Sequence, residues 1–422
     1  MPGVQVAVRV GGELAASFAL GVANEATGEA LTPGHLFRIA SHSKTFTATA
    51  VFQLIEAGIV RLDDPAGHWL PELEGSPAAA MTVRELLGHQ SGINRDGADS
   101  DYWQQLHAFP DRAALLDLCR APEVFAPNTH FKYSNMGYSL LGLIIEAASR
   151  EGVRGLRGGA HHGAAGAAEP GPGNSRGARA GTGGGAQWAA GGERRAAGAA
   201  VVRHAGDGGR HGLLRHGGGR DGVPVGARAG RPELLSDRSK RLMQRKESEV
   251  TRPSRRWYGL GFILDEVNGR TLVGHSGGFP GHITQSWLDP QSGLSVSVLT
   301  NCLGGPATEW ATNLVRLIDL AAKTPTKAEA DAPDTDLDSF TGRFATDWGV
   351  FDVVNLGGRL VSLVPQGDPA LSVTELTVVD ADTLKPAPEA GFGAVGEAYH
   401  YQRDAAGQVE WVRQGGGRAA QV

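Results

Sequence analysis

The chain has 422 residues, which suffices for two domains, and a formal net charge of −5. Its basic residues form no block of the kind that neutralises nucleic-acid phosphates, which argues against a nucleic-acid partner. No apolar run approaches the roughly 20 residues of a membrane-spanning helix, and Met1 leads straight into strand-like sequence rather than a leader. The sequence as given therefore predicts a cytoplasmic protein with no membrane span.

The first predicted strand, Val4 to Val10, is followed by a predicted helix that opens with Ser41-His42-Ser43-Lys44. Apolar residues recur along this helix at the spacing of one buried face: Phe46, Val51, Leu54 and Ile55. Ser41 at its N-terminus would meet free backbone N–H groups and the helix dipole, which favour developing negative charge. Lys44, one turn later, could reach the Ser41 hydroxyl and act as its base. Because this spacing also arises by accident, the motif needs partners elsewhere.

A second motif, Tyr133-Ser134-Asn135, stands before an apolar, helix-like run from Leu140 to Ala148. Tyr133 is the only tyrosine of the chain with an asparagine two residues on. A nucleophilic serine needs one group that exchanges protons and another that holds the substrate, and this pair could supply both. For the triplet alone, the alternative is a buried tyrosine with a turn asparagine.

A third motif, His275-Ser276-Gly277-Gly278, follows the strand-like Arg270 to Val273 and precedes another predicted strand, Ser295 to Thr300. The pattern His-x-Gly occurs elsewhere in the chain, but only His275 lies between two plausible strands. His89 and His282 have no comparable context, and we expect both to be structural.

Together, in this order and spacing, the three motifs resemble those of the serine β-lactamase and penicillin-recognising hydrolase superfamily. The resemblance is to its class C-like branch, which includes D-aminopeptidases, DD-peptidases and esterases. Four further segments match: Leu62–Pro65, Leu86–Ile93, Tyr258–Phe262 and Leu299–Asn301. The resemblance covers about residues 1–151 and 232–320.

The resemblance implies an α/β fold of the α+β type, with an antiparallel sheet flanked by helices and an all-helical part. The sheet would include strands near Val4, Phe262, Leu272 and Val296. The all-helical part would include Leu86, Leu115 and Leu141. The nucleophile would then lie at the base of a cleft between the sheet and the helical part.

The resemblance also implies roles for the motif residues. Ser41 would be the nucleophile that becomes acylated, and Lys44 the amine that eases its deprotonation. Tyr133 would exchange protons with Ser41, the leaving group and the hydrolytic water, while Asn135 would hold the substrate amide. The backbone N–H groups of Ser41 and Gly278 would form the oxyanion hole, whose donors contribute about 3 kcal/mol each in related chemistry.

His275 departs from the lysine that β-lactamases and penicillin-binding proteins of this superfamily carry at this place. Lysine is a fixed cation for a substrate carboxylate, whereas histidine ordinarily titrates near pH 6.5, so its charge is partial and tunable. We expect a charged His275 to help Lys44 stabilise a Tyr133 phenolate. The departure favours peptidase or esterase substrates over β-lactams. Ser276 and Gly277, on the same strand, are predicted to bind the substrate.

From about Gly152 to Arg231 the composition changes, with about 26 of the 62 glycines and no Lys, Ile, Phe, Tyr or Met. Composition alone indicates a disordered linker, since such a segment buries too little apolar surface to offset its ordering entropy. We favour translation from a second reading frame. Synonymous codons for Gly212–Gly219 can be chosen so that a shift of one base encodes Gly-Phe-Tyr-Ala-Thr-Ala-Glu-Asp. The same shift at Gly158–Ala168 can encode Ala-Glu-His-Ile-Thr-Ala-Pro-Leu-Gly-Leu.

Both hidden strings resemble segments that the superfamily carries at these places, where they help to wall the substrate pocket. The interpretation predicts that residues 152–231 are poorly ordered and that activity is reduced or lost. A genuine glycine-rich insertion is the alternative. A gene that stays in one frame across about codons 150 to 235, with no compensating pair of indels, would exclude the frameshift.

Residues 323–336 are polar and contain proline, which is typical of a linker. Beyond them, apolar runs flank turn sequences in two pairs: Phe351–Val354 with Arg359–Val364, and Tyr399–Tyr401 with Val409–Val412. These hairpin signals predict that residues 337–422 form a small antiparallel sheet or partial barrel. We therefore expect a hydrolase domain at 1–322, a linker at 323–336 and a β-rich domain at 337–422.

The sequence thus predicts a serine hydrolase that cleaves amide or ester bonds of a small-molecule or short-peptide substrate through an acyl-enzyme. This chemistry needs no cofactor, and no residue cluster has convincing metal-ligand spacing. Cys119 and Cys302 are expected to be buried thiols rather than a disulfide. The alternative function is an inert relative or frameshift-damaged product that at most binds ligand. Because many relatives are exported, a mis-set start could hide a leader, and the oligomeric state stays open.

Overall fold

The computed structural model describes residues 1–149, 201–202, 234–251, 256–322, 336–365, 367–387 and 396–422. The predicted out-of-frame stretch, 152–231, and the predicted linker, 323–336, fall almost entirely outside these residues. The chain divides into two compact units, Met1–Ala311 and Thr312–Val422. The division falls within a helix that precedes the predicted linker.

An antiparallel sheet of nine strands dominates the first unit, in the order β3-β2-β1-β11-β10-β9-β8-β7-β6. In chain order the strands are β1 (Gly3–Val10), β2 (Glu13–Asn24), β3 (Glu29–Ala30), β4 (Phe37–Arg38), β5 (Val201–Val202), β6 (Ser248–Thr251), β7 (Arg256–Tyr258), β8 (Ile263–Val267), β9 (Arg270–Phe279), β10 (His282–Leu288) and β11 (Ser295–Thr300). Strands β4 and β5 pair separately. The predicted antiparallel sheet, with its strands near Val4, Phe262, Leu272 and Val296, is confirmed.

The pairing of β1 with β11 joins the beginning of the first unit to a strand near its end. Val6 lies opposite Val298, and both side chains are buried. Gln5 and Ala7, which alternate with Val6 along β1, are buried as well, so this part of β1 is covered on both faces. This pairing links residues almost 300 positions apart in sequence, at a cost in loop-closure entropy that local hairpins do not carry. It forms because both strands bury apolar side chains on the same side of the sheet.

Helices cover the sheet, and their bounds are α1 (Ser43–Glu56), α2 (Ala66–Trp69), α3 (Val83–Leu87), α4 (Arg112–Leu118), α5 (Asn135–Ser149), α6 (Asp237–Met243) and α7 (Ala307–Ala321). Leu86, Leu115 and Leu141 lie in α3, α4 and α5, so their predicted helical placement is confirmed. Helix α3 begins with a capping box. The Glu85 N–H donates to Thr82 Oγ1 and the Thr82 N–H donates to Glu85 Oε2, which satisfies backbone donors at the helix start.

Helices α1 and α5 share one hydrophobic core, and this core holds the predicted catalytic segments together. Phe52 of α1 and Leu141 of α5 are fully buried within it. Burial of a side chain of this size stabilises the fold by about 1.5–3 kcal/mol. Helix α5 is buried on nearly all sides from Met136 to Ile145, which explains why its sequence is almost continuously apolar.

The second unit is a closed antiparallel barrel of eight strands. They are β12 (Gly342–Thr346), β13 (Gly349–Asn355), β14 (Leu360–Leu363), β15 (Thr374–Asp380), β16 (Thr383–Pro386), β17 (Tyr399–Arg403), β18 (Val409–Gln414) and β19 (Gly417–Gln421), with the short helix α8 (Pro369–Ser372). Both predicted hairpins are present. The expected partial barrel is closed, because β12 pairs with β19 at Phe344 and Gln421.

Two further expectations concern the described residues. Cys119 and Cys302 are both free thiols. Cys119 is buried as predicted, whereas Cys302 is only half-buried. Within the described ranges, every helix is too short or too polar to cross a membrane.

Candidate active site

Ser41 lies in a single 3₁₀ turn, Ala40–His42, and helix α1 begins two residues later, at Ser43. The sequence predicted Ser41 at the N-terminus of this helix, whereas the structure places it in the tighter turn just before the helix. Ala40 has a φ of +44°, in the left-handed region that costs an alanine about 1 kcal/mol. The turn is anchored to the sheet, since His42 Nδ1 lies 3.0 Å from Thr284 Oγ1 on β10.

The Lys44 side chain extends to the Ser41 hydroxyl. Its Nζ donates to Ser41 Oγ at 3.4 Å and to Asn135 Oδ1 at 2.6 Å. The side chain is buried, and Nζ lies 4.7 Å from the centroid of the Tyr133 ring and 5.5 Å from that of Tyr138. A nitrogen over aromatic faces in a region with little water interacts favourably with the negative faces of the rings. The structure thus brings together the predicted residues Ser41, Lys44, Tyr133 and Asn135.

Asn135 is the first residue of α5, and its side-chain amide is bound on both sides. Its oxygen accepts from Lys44, and its Nδ2 donates to Asp96 Oδ1 at 2.6 Å. Asp96 is a buried carboxylate that the sequence analysis did not single out. The available signal was weak: an acidic residue three positions after the matched segment Leu86–Ile93, in a turn where acidic residues are common.

His89 holds the segment that carries Tyr133. Its carbonyl accepts from the Lys132 N–H at 2.8 Å, and its ring Nδ1 accepts from the Ser134 N–H at 3.1 Å. The imidazole lies 4.4 Å from the Tyr133 ring, measured between centroids. Burial, and then the charges of Lys44 and His275, hold the pKa of His89 well below its usual range. A neutral ring is required here, because a protonated Nδ1 could not accept the Ser134 N–H.

Strand β9 brings the third motif to the same place. Strand β8 pairs with β9 only as far as Gly274, so among the described residues no strand pairs with the β8-side edge of His275 to Phe279. Gly277 packs closely against the turn Ala40–His42 that holds Ser41, the nucleophile turn. A Cβ at position 277 would lie 2.1 Å from the Ile39 carbonyl oxygen and 2.6 Å from Thr284 Oγ1. Only glycine permits this approach between β9 and the turn that holds Ser41.

His275 differs from the expectation of a partial charge. Its ring is buried, its Nδ1 donates to the Ser276 carbonyl at 2.6 Å, and its Nε2 accepts from the Tyr258 hydroxyl at 3.0 Å. The pKa of His275 is lowered to about 3. Burial is the largest cause, and the neighbouring His42 and Lys44 add to it. The imidazole is therefore neutral at neutral pH, which removes the expected charge assistance to Tyr133.

The depressed pKa of His275 predicts that acid destabilises the fold. The unfolded chain takes up this proton near the ordinary value of about 6.5, whereas the folded chain takes it up only near pH 3. Between these values the unfolded state binds more protons, so the free energy of unfolding should fall as the pH falls. Urea unfolding of the full chain at a series of pH values would measure this fall.

The matched variant is His275→Asn, which cannot be protonated. Its unfolding free energy should fall less steeply below about pH 6.5 than that of the wild type. Some slope should remain, because burial lowers the pKa of His282 to about 4 and that of His89 as well. Equal slopes for the two proteins would contradict the assignment of a buried, neutral His275.

Within the described ranges, no group of three or more His, Cys, Asp or Glu side chains is placed to hold a metal ion. The polar groups at the site are of the types that nucleophilic catalysis uses. A hydroxyl beside a buried amine, a tyrosine, a fixed amide and an open strand edge can support attack on a carbonyl carbon and stabilise the resulting oxyanion.

An antiparallel sheet covered by helices, with this arrangement beside the inner strand β9, defines the β-lactamase and transpeptidase-like class of folds. The chain belongs to the Beta-lactamase family, whose model matches residues 1–319. It is 34% identical over 155 residues to Penicillin-binding protein 4 of Amycolatopsis lactamdurans, covering 35% of this chain and 38% of that protein. It is 33% identical over 152 residues to Esterase EstB of Burkholderia gladioli, covering 33% and 38%.

The chain spans about a third of the length of the curated relatives it matches. A solved structure, the octameric penicillin-binding protein homologue from Pyrococcus abyssi, has a TM-score of 0.57 and 19% sequence identity, and covers 100% of this chain and 96% of that one. This likeness concerns the fold. Family and relatives together support a hydrolase in general terms.

Proposed function

We propose that the chain is a serine hydrolase that cleaves amide or ester bonds through an acyl-enzyme on Ser41. The observation that carries the proposal is the position of Lys44 Nζ, 3.4 Å from Ser41 Oγ and 2.6 Å from Asn135 Oδ1, beside the Tyr133 ring. A serine hydroxyl is a weak nucleophile until a neighbouring group takes its proton. In this proposal the tyrosine takes the proton, and the buried Lys44 cation stabilises the charge that the transfer requires.

In acylation, Ser41 Oγ forms a bond to the substrate carbonyl carbon while its proton passes to the Tyr133 oxygen. Tyrosine ordinarily ionises near pH 10, at about three units above neutrality, so its phenolate form requires the nearby Lys44 amine as a cation. The carbonyl oxygen becomes an oxyanion, which the backbone N–H groups of Ser41 and Gly278 stabilise. Collapse breaks the bond to the leaving group, which takes the proton from Tyr133.

In deacylation, water repeats the sequence of steps. The water oxygen bonds to the acyl carbon while Tyr133 takes a proton from the water. The same N–H groups hold the second oxyanion. Cleavage of the ester bond then returns the proton to Ser41 Oγ and releases the acid. Asn135, fixed by its two hydrogen bonds, orients the substrate amide and the Lys44 amine throughout.

The substrate class follows in part from His275. A neutral imidazole offers no fixed positive charge at the place where β-lactamases and penicillin-binding proteins carry lysine, so recognition there does not depend on a substrate carboxylate. This favours D-amino-acid peptides or esters over β-lactams. Ser276 and Gly277 lie on β9 beside the nucleophile turn, where a substrate backbone could pair with the open edge.

A second candidate is an inert product that keeps the motifs without turnover. The observation in its favour is the composition of residues 152–231, which out-of-frame translation would explain. The family resemblance implies that the segment at this place helps to wall the substrate pocket. Catalytic groups need to be held within about 0.5 Å of their working geometry. Loss of the supporting wall would therefore reduce the rate even with every motif residue present.

One assay separates the two candidates. The purified full chain is offered a D-alanyl anilide, a short p-nitrophenyl ester and a chromogenic cephalosporin, with Ser41→Ala as the inactive control. We expect turnover of the anilide or the ester above that of the control, and an acyl adduct that peptide mass spectrometry locates on Ser41. Absence of turnover together with absence of any adduct from a fluorescent penicillin would support the inert product.

A further inference from the structure

We propose that Asp96 is a positioning residue that fixes the orientation of the Asn135 amide, and through it the place of Lys44 beside Ser41. The inference deepens the proposed function and rests on it for its kinetic consequence. Asp96 bonds Asn135, Asn135 bonds Lys44, and Lys44 bonds Ser41, so Asp96 acts through Asn135.

The Asn135 amide lies between a group that only accepts and a group that donates. Its Nδ2 donates to Asp96 Oδ1 at 2.6 Å, and its Oδ1 accepts from Lys44 Nζ at 2.6 Å. A carboxylate has no proton to donate and an ammonium has no lone pair to accept with. Rotation of the amide by half a turn would bring oxygen against oxygen and N–H against N–H, and would lose both hydrogen bonds.

Asp96 is itself held in place by three neighbours. Its Oδ1 also accepts from Trp103 Nε1 at 3.2 Å, its Oδ2 lies 3.0 Å from Arg95 Nε, and its backbone carbonyl accepts from the Tyr102 hydroxyl at 2.7 Å. The side chain is only 10% exposed, so water cannot readily replace these partners. The two carboxylate oxygens accept three N–H groups, from Asn135, Trp103 and Arg95.

An alanine at position 96 removes both acceptor oxygens. An asparagine there would not serve, because its one oxygen could take the place of Oδ1 and still accept from Asn135 and Trp103. The variant Asp96→Ala therefore no longer enforces the Asn135 orientation. With the Asn135 oxygen free to turn away, Lys44 loses the acceptor that holds it 3.4 Å from Ser41 Oγ.

The kinetic test compares Asp96→Ala with Asp99→Ala, the same change at an exposed carboxylate of the same loop that bonds His107 instead. On whichever substrate the wild type turns over, Asp96→Ala should lower kcat about 10- to 100-fold, the range for lost partners that orient reactive groups. Asp99→Ala should keep the wild-type kcat. A kcat for Asp96→Ala within about twofold of wild type would overturn the proposal.

A double-mutant cycle tests whether Asp96 acts through Asn135. In an Asn135→Ala background there is no amide to orient, so adding Asp96→Ala should lower kcat no further. A merely structural role for Asp96 predicts the opposite, an equal loss in both backgrounds. Equal losses would therefore overturn the proposal even if the single variant is slow.

A third measurement does not depend on turnover or on the folding of a variant at Asp96. In the ¹⁵N-labelled wild-type chain, the side-chain NH₂ signal that disappears in Asn135→Ala belongs to Asn135. We expect its hydrogen exchange to be slow, because Nδ2 donates to a buried carboxylate. Exchange as fast as that of an exposed asparagine would overturn the orientation. Slow exchange in a chain without turnover would uphold the orientation while the proposed function fails.

Discussion

Replacement of Ser41 by alanine should abolish turnover and covalent labelling while leaving the fold intact. The expected loss in kcat is about 10⁴-fold or more, as for other enzymes in which one member of a nucleophilic unit is removed. The reason is chemical: Lys44, Tyr133 and Asn135 assist a hydroxyl that the variant no longer has. The acylated peptide that mass spectrometry detects in the wild type should be absent, and the thermal midpoint should change little, since Ser41 is only half-buried.

The matched control is Ser43→Ala, which removes the other hydroxyl of the segment Ser41-His42-Ser43-Lys44. Within the described residues, the buried Ser43 Oγ has no hydrogen-bond partner. Its removal should therefore leave kcat at the wild-type level and leave stability unchanged or slightly raised. If Ser43→Ala abolished labelling and Ser41→Ala did not, the assignment of the nucleophile would be wrong.

The variant Gly277→Ala is expected to lower both stability and activity strongly. Its Cβ would lie 2.1 Å from the Ile39 carbonyl oxygen, which is backbone and cannot rotate away. Either β9 or the nucleophile turn must move, and overpacking of this kind costs about 1–3 kcal/mol in the free energy of unfolding. A displacement of about 1 Å between oxyanion donors and nucleophile lowers the rate by about 10²-fold. Urea unfolding and kcat/KM measure the two effects.

The neighbouring glycine supplies the stability control. A Cβ at Gly278 would meet only Ile283 Cδ1 within 4 Å, at 3.7 Å, an ordinary van der Waals distance. The free energy of unfolding of Gly278→Ala should therefore stay within about 0.5 kcal/mol of wild type. Equal stability for the two alanine variants would show that β9 does not need its close approach to the Ile39 carbonyl.

Most members of the candidate active site could be predicted from the sequence because they follow local rules. Ser41 and Lys44 are three residues apart at a helix start, where helical geometry alone brings their side chains together. Tyr133 and Asn135 precede an apolar helix, and His275 begins its motif within a strand whose apolar residues were visible. The hairpins of the second unit were likewise marked by their turns.

Other features required contacts between distant parts of the chain. Closure of the barrel depends on the pairing of β12 with β19, which no local signal specifies. Asp96 and His89 belong to the site because they bond Asn135 and Ser134, about 40 positions further along the chain. Neither an isolated acidic residue in a turn nor the histidine of the matched segment Leu86–Ile93 gives a sign of such a partner.

The sequence by itself determined the family, and it predicted a nucleophile and the order of the motifs, because these depend on residue types at short spacing. The tertiary structure alone decided the protonation state of His275 and the close contact at Gly277. Both arise from burial: the pKa of an imidazole depends on the water and charges around it, and a missing Cβ matters only where another strand or turn fills its place. Those surroundings come from residues that the chain brings together only on folding.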